Sequence, residues 1–400
     1  MNTNFFGERT VLMIPGPTEL HPAVQRVLNS PIMAHYGPEW APVYNEALKL
    51  AAAIFKTKQE VFMMPTPGTV ALETGVVSLV EPGEKVVAVV NGFFSERLAD
   101  IASLTGAETI KLAAELGKVV DPNELDKVLS KNKDVKAVLA VQNETSTGVL
   151  NPIPEYAKVA RQHDALFVVD AISSYGGVEM EFDGWGIDFC VGYANKCLGS
   201  IPGTVPVAVS EKAWEAFRKR RTQPRSFFTN LGVWRHYIDE WAPIGHPYPT
   251  TISPHAVLCF KAAAEALLQE GLENRYSRHR LVSAAFRKAV RSMGLETLPE
   301  ERDASPVVTA VALPSSLWKD GGKVGQIMLQ KHRIMIGGGL AQLHNKIIRI
   351  GHMCVTASSR YIVPTLAALR DTFQQLGYTL NDGVETFMNN LGERLQTHVD

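Results

Sequence analysis

Two charged residues near the middle of the chain have types and positions that could do chemistry together. Asp170 closes the apolar run LFVVD at 166–170, and Lys196 follows just past a second apolar run, FCVG at 189–192. In an open parallel sheet, ligands bind beyond the carboxyl ends of the strands, so both side chains are expected to converge on one crevice. An amine and a carboxylate so placed suit pyridoxal 5'-phosphate. A lysine can carry its aldehyde as a Schiff base, and a carboxylate can keep the pyridine nitrogen protonated. Taken singly, Asp170 also fits a turn cap and Lys196 a lysine reaching solvent from a loop. The neighbouring Gly176, Gly177, Gly199, Gly203 and Pro202 call for unusual backbone geometry that a plain surface loop does not need.

Two further segments address anions. MPTPGTVALETGVVSLV at 64–80 reads as a Pro/Gly turn opening a helix, whose unpaired N–H groups and positive dipole end make Gly68 and Thr69 candidate phosphate ligands. Thr69 could equally be an ordinary cap. In KIIRIGHM, Arg349 alternates with Ile348 and Ile350, so one strand face is expected to be buried while the other presents a guanidinium. That planar fork can grip a carboxylate by two parallel hydrogen bonds. His35, His344 and His352 have no partner at metal-ligand spacing, and no metal is expected. No dinucleotide or Walker A glycine pattern occurs.

The elements that must position these residues follow from periodicity. Residues 42–55 place Val43, Ala47, Leu50, Ala51 and Ile54 on one helical face, with Pro42 in the first turn. Apolar runs at 86–90, 137–141, 166–170 and 189–192 alternate with helical stretches, which implies a mostly parallel sheet covered on both faces. The proline- and aromatic-rich segment 222–255 reads as a long ordered excursion over the surface. Helices are expected at 256–269 and 277–293, stopped by Gly271 and Gly294. The segments 306–314, 323–332 and 347–353, with a helical pattern near 359–376, describe a smaller α/β unit. The division expected is an N-terminal arm at 1–20, a large cofactor-binding domain at 21–275 and a small C-terminal domain at 276–400.

With 400 residues, 46% of them hydrophobic, and a net charge of −1, extended disorder is excluded and nucleic-acid binding has no electrostatic source. Cys190, Cys197, Cys259 and Cys354 are widely spaced and read as reduced thiols. The opening MNTNFFGERTVLMIPGP has no secretory pattern, and no apolar run approaches the roughly 18 residues of a membrane helix. A cytoplasmic protein is expected.

VVDAISSYGG, GID, NKCLGSIPG and RIGHM, taken in order, resemble the class V, fold-type I pyridoxal-phosphate aminotransferases, in particular the alanine–glyoxylate and serine–pyruvate/serine–glyoxylate group. The likeness runs from PGPTELHP at 15–22 through the C-terminal helices. It implies a mostly parallel, seven-stranded-type sheet in a large α/β domain with a smaller C-terminal α/β domain. It also implies that Lys196 and Asp170 are the catalytic pair. Further cofactor contacts implied are Phe94 of NGFF stacking on the ring, Thr145 of QNETSTG near the ring oxygen, and Asn195 beside the lysine. Tyr248 and Thr251 of HPYPTTISP are implied to complete the phosphate site from a neighbouring subunit, hence a homodimer. Arg349 and Tyr36 are implied to meet the substrate.

The implied reaction moves the amino group of alanine or serine to glyoxylate or pyruvate. A pyridoxamine–pyruvate aminotransferase, a lyase or desulfurase of the same fold, and a non-catalytic cofactor-binding protein stay open. Three positions depart from the group: Pro67-Gly68-Thr69 stands where Ser-Gly-His is common, and Tyr36 where His-Arg is common. Pro67 and Leu340 stand where the pyridoxamine–pyruvate branch carries an acidic residue and an arginine.

Overall fold

Valine-rich runs too short for helices form the interior of a seven-stranded sheet, ordered Glu60–Met64, Val205–Val209, Phe189–Val191, Leu166–Asp170, Val135–Val141, Lys85–Val90, Glu108–Ala113. The computed structural model describes residues 9–392. All neighbours in this sheet pair in parallel except Val205–Val209, which is antiparallel to both of its own. Four of the five interior strands coincide with the apolar runs, because strands covered on both faces need apolar residues on both.

Three strands carry weaker signals. Glu108–Ala113 is a largely exposed edge, Glu60–Met64 is the opposite edge, and Val205–Val209 contains Pro206, a residue that usually argues against an interior strand. Pro206 is accommodated as an acceptor, its carbonyl taking the Gly192 N–H at 2.9 Å.

The helix expected at 42–55 spans Trp40–Phe55 and buries Trp40, Tyr44, Ala47, Ala51, Ile54 and Phe55, so the buried stripe passes through Tyr44 in place of Val43. The segment 222–255 is not one long loop: Asn230 caps a helix, Leu231–Trp241, through a bond from Gly232 N to its side chain. Helices Pro254–Glu270 and Leu272–Ser292 meet at Gly271, whose φ of +85° favours glycine.

A second, five-stranded sheet runs Val11–Met13, Ile334–Gly338, Ile347–Gly351, Val308–Ala312, Glu296–Thr297. Its core is separate from that of the large sheet and includes Met13, Phe286, Ile350, Leu369 and Phe373. The strand bearing Arg349 is therefore interior, with neighbours on both sides and both faces buried. This corrects the expectation that one face stands open. The first strand comes from the chain's opening segment, which then crosses to the large sheet. All four cysteines are buried free thiols. Among the described residues no helix is long and apolar enough to cross a membrane.

Candidate active site

Strand register brings the carboxyl ends together: Val141, Asp170 and Val191 are paired neighbours, and Lys196 follows Val191 after a short turn. Val141, Asp170 and Lys196 border a cavity of about 220 Å³. Of the residues singled out from the sequence, Gly68, Thr69, Phe94, Thr145, Asp170, Asn195 and Lys196 line it. Arg349, Tyr36, Tyr248 and Thr251 do not.

Asp170 is 6% exposed and accepts the Ile172 N–H at 2.8 Å. Burial pushes its carboxyl up to about 7. The Ile172 N–H opposes this, Glu144 adds to it, and Lys196 and Arg97 pull the other way. The carboxylate has no ion-pair partner among the described residues, so a cationic N–H entering the cavity beside it would favour its ionised form.

Lys196 is pulled the opposite way: burial, then the Arg349 charge, lowers its amine to about 8. Its Nζ donates to the Pro15 carbonyl at 2.6 Å. The opening segment is fastened there, with Thr18 N donating to Asn195 O at 3.3 Å and Thr18 Oγ1 to Lys196 O at 3.0 Å.

Two helices point their N-termini at this cavity, and their ends are treated differently. Helix Phe93–Leu104 is capped by Gly92, which has no side chain to offer. Its first N–H groups are taken by a distant loop instead: Phe93 N by Ser146 Oγ at 2.9 Å, Phe94 N by Glu144 Oε1 at 3.3 Å and Ser95 N by Glu144 Oε2 at 2.8 Å. A Cβ on Gly92 would lie 2.4 Å from Glu144 Cγ, so the missing side chain makes room for the borrowed cap. Glu144 is 0% exposed and also accepts from the Ser95 and Ser146 hydroxyls.

Replacing Glu144 by alanine is expected to leave buried N–H groups unpaired and cost on the order of 3 kcal/mol. A urea melt is the measurement, and a loss below about 1 kcal/mol would contradict the cap. The spacing of QNETSTG contains no sign of this role, which is made entirely by tertiary contact.

Helix Gly68–Leu79 is left open. Pro67 supplies no side-chain cap, and the Gly68 and Thr69 N–H groups have no protein acceptor among the described residues. Gly68 is needed for close approach, since a Cβ there would lie 2.5 Å from Ile172 Cδ1, a side chain that also lines the cavity. An open helix end facing a cavity is a place for an anion.

The floor is a hydroxyl network. Thr145 Oγ1 donates to Ser173 Oγ at 2.7 Å, and Ser173 Oγ donates to Asn143 O at 2.9 Å. Asn143 Oδ1 and Asn195 Oδ1 are buried without any partner, which marks places for ligand hydrogen bonds.

Arg349 lies directly behind Thr145. It is 7% exposed, and it donates from Nε to Gly338 O at 2.8 Å and from Nη1 to Thr145 O at 3.2 Å. No carboxylate pairs with it among the described residues. Burial lowers its guanidinium to about 10, opposed by the charge of Glu144. A buried, unpaired guanidinium is costly unless an anion visits it.

Tyr248, expected to offer its hydroxyl to a phosphate, is fully buried and spends that hydroxyl within its own chain. It accepts from Trp40 Nε1 at 2.7 Å and donates to His35 O. Tyr36 is 56% exposed and packs edge-on against His35. Thr251 is exposed. Tyr36 and Tyr248 lie in an aromatic patch with His35 and His246, and none of the three residues lines the cavity. Gly16, Ile172, Ser173, Tyr193 and Arg97 also line the cavity and escape sequence reasoning. PGPTELHP and NGFF stand out as motifs, but which of their atoms face inward is a matter of packing.

The family model for aminotransferase class-V matches residues 29–359. The chain is similar to an uncharacterized aminotransferase of Methanocaldococcus jannaschii, 34% identical over 94% of this chain and 96% of that one. The crystal structure of the ureidoglycine–glyoxylate aminotransferase from Bacillus subtilis is 28% identical, with a TM-score of 0.89 over 96% of this chain and 98% of that one. The pyridoxamine–pyruvate aminotransferase of Mesorhizobium loti is 25% identical, with a TM-score of 0.91 over 96% and 98% of the two chains.

Proposed function

The chain belongs to the class V aminotransferases, enzymes dependent on pyridoxal phosphate, and from that premise we propose that it transfers the amino group of alanine or serine to glyoxylate or pyruvate. The observation that carries the reading is one cavity holding a buried carboxylate and a buried amine, with an unpaired guanidinium behind its wall. The residues present fit the cofactor. Asp170 awaits a cationic N–H, the open helix end at Gly68 and Thr69 awaits an anion, and the orphaned Asn143 oxygen awaits a donor. When bound, the cofactor supplies an electron sink for charge developing on the substrate α-carbon.

The chain's own residues do the rest. Lys196, with its amine near 8, holds the cofactor aldehyde and, once released, moves a proton to and from the α-carbon. Pro15 O gives the free amine a fixed acceptor. Phe94 and Ile172, both in the lining, present apolar side chains suited to the two faces of a flat ring and exclude water. Arg349 fixes the substrate carboxylate and so sets which α-carbon bond faces the amine. We place the protein in the cytoplasm as a homodimer, with the exposed Thr251 at the subunit boundary.

A second reading has pyridoxamine itself as amino donor to pyruvate. It draws on the likeness to the Mesorhizobium loti enzyme and on the engaged Tyr248 hydroxyl. A desulfurase is disfavoured, since Cys354 is buried in a short turn and no cysteine is free to reach a substrate. The test is amine transfer with alanine, serine and pyridoxamine, each against glyoxylate and pyruvate. Alanine or serine turnover dependent on added pyridoxal phosphate is expected. Turnover with pyridoxamine alone, or pyruvate release without an acceptor, would overturn the reading.

A further inference from the structure

We propose that Arg97 completes the phosphate subsite at the open end of helix Gly68–Leu79 from within the same chain, and that it makes the protein select the phosphorylated cofactor over the free vitamin. The inference deepens the pyridoxal-phosphate reading and rests on it.

Four observations carry it. Arg97 lines the same cavity as Gly68, Thr69 and Asn195. Its place is set by the helix that the Glu144 cap holds: Phe94 and Arg97 stand three residues apart on Phe93–Leu104, and so share a face. The guanidinium lies 4.9 Å from the Phe93 ring centroid and 5.1 Å from that of Phe94. Stacking of this kind uses the face of the fork and leaves its N–H edge free for an oxyanion. Among the described residues no carboxylate pairs with Arg97, whereas Arg235, Arg278 and Arg287 each hold one.

The other donors at the subsite in this chain, the Thr69 hydroxyl among them, carry no formal charge. Pro67 brings no hydroxyl, and Tyr248 has committed its own to Trp40 and His35. The Gly68 and Thr69 N–H groups supply only the partial charge of a helix end, which a dianionic phosphate ester exceeds. Asn195, 7% exposed with an unpartnered Oδ1, lines the same space, and a carboxamide can turn its N–H₂ toward an anion. Arg97 is then the cation that brings the subsite toward charge balance.

The test is equilibrium binding of pyridoxal phosphate and of unphosphorylated pyridoxal to the cofactor-free full-length protein, followed by absorbance. Wild type, Arg97→Met and Arg97→Lys are compared, with thermal melts as folding controls. Expected is a 10- to 100-fold loss of pyridoxal-phosphate affinity in R97M, a smaller loss in R97K, and pyridoxal affinity changed less than about twofold in both. Inorganic phosphate should compete with pyridoxal phosphate in wild type and compete at least tenfold less well in R97M.

Equal losses for both vitamers would assign Arg97 to ring packing through Phe94 and overturn the proposal. Unchanged pyridoxal-phosphate affinity with weakened amino-acid binding would assign it to substrate and overturn it too. If R97M fails to fold, R97K decides, and unchanged discrimination between the vitamers is then the overturning result. Wild-type protein that binds neither vitamer is a different failure, of the pyridoxal-phosphate reading itself.

Discussion

Lys196→Ala is expected to lower kcat for amine transfer by about 10⁴-fold or more, because it removes the group proposed both to hold the cofactor aldehyde and to move the proton. The substitution shortens a side chain that carries no structural ion pair, so the melting temperature should move little. Residual turnover is best read under single-turnover conditions with supplied pyridoxal phosphate, where added small amines can stand in for the missing base.

A pH arm sharpens this prediction. Burial, and then the neighbouring Arg349 charge, brings the wild-type amine from the ordinary lysine value of 10.5 down to about 8. Only the neutral amine attacks an aldehyde, and raising pH deprotonates it. The rate of cofactor uptake by the cofactor-free protein should therefore climb as pH rises through about 8 and level off above. A midpoint near 10.5, or an alanine variant within tenfold of wild type, would remove Lys196 from the centre of the chemistry.

The second large effect is expected far from the lysine in sequence. Gly16 has a φ of +110°, which side chains rarely adopt, and a Cβ built on it would lie 2.3 Å from both Cδ and Nζ of Lys196. Gly16→Ala should therefore cost about 1–2 kcal/mol in backbone strain and, more importantly, push the amine off the Pro15 carbonyl. The atoms struck are the far end of a flexible side chain, so the fold should survive while the amine moves. Misplacing a catalytic group by about 1 Å costs on the order of 10²-fold in rate, and kcat should fall by that much or more. Cofactor affinity should change less than kcat. Steady-state kinetics beside a thermal melt separate the two effects. A variant that keeps kcat within threefold of wild type would mean that Lys196 is not constrained from this side.

The large sheet and the convergence of Asp170 and Lys196 on one cavity are legible in the sequence because one physical rule connects them. Strands buried on both faces must be apolar throughout, and a parallel sheet sends their carboxyl ends to the same edge. Strands with only part of that burden leave weaker traces, such as the exposed edge Glu108–Ala113 and the proline-bearing Val205–Val209. The helix Leu231–Trp241 is hidden among prolines and aromatics, where composition favours a loop and a side-chain cap at Asn230 decides otherwise. Alternation alone turns Arg349 outward, because it reports one strand at a time. Sheet neighbours on both sides, visible only in the fold, bury it.

Glu144 illustrates what local pattern cannot carry. A capping residue is normally sought just before its own helix, whereas this carboxylate reaches Phe94 and Ser95 from some 50 residues further along. Tyr248 shows the same limit, since the Trp40 and His35 groups that meet its hydroxyl lie more than 200 positions away.

The opening segment ties two machines that the sequence presents as separate. Val11–Met13 is zipped to Ile334–Gly338, which is paired in turn to the strand carrying Arg349, and a few residues later the same segment lays its Pro15 carbonyl on Lys196. Gly351 leaves the gap through which it threads, since a Cβ there would lie 2.4 Å from Ile14 O. Anyone trimming expression clones should accordingly regard residues 9–18 as indispensable hardware. Deleting them would unhook the strand that carries Arg349 from Lys196 in a single cut, with the bulk of both hydrophobic interiors left standing.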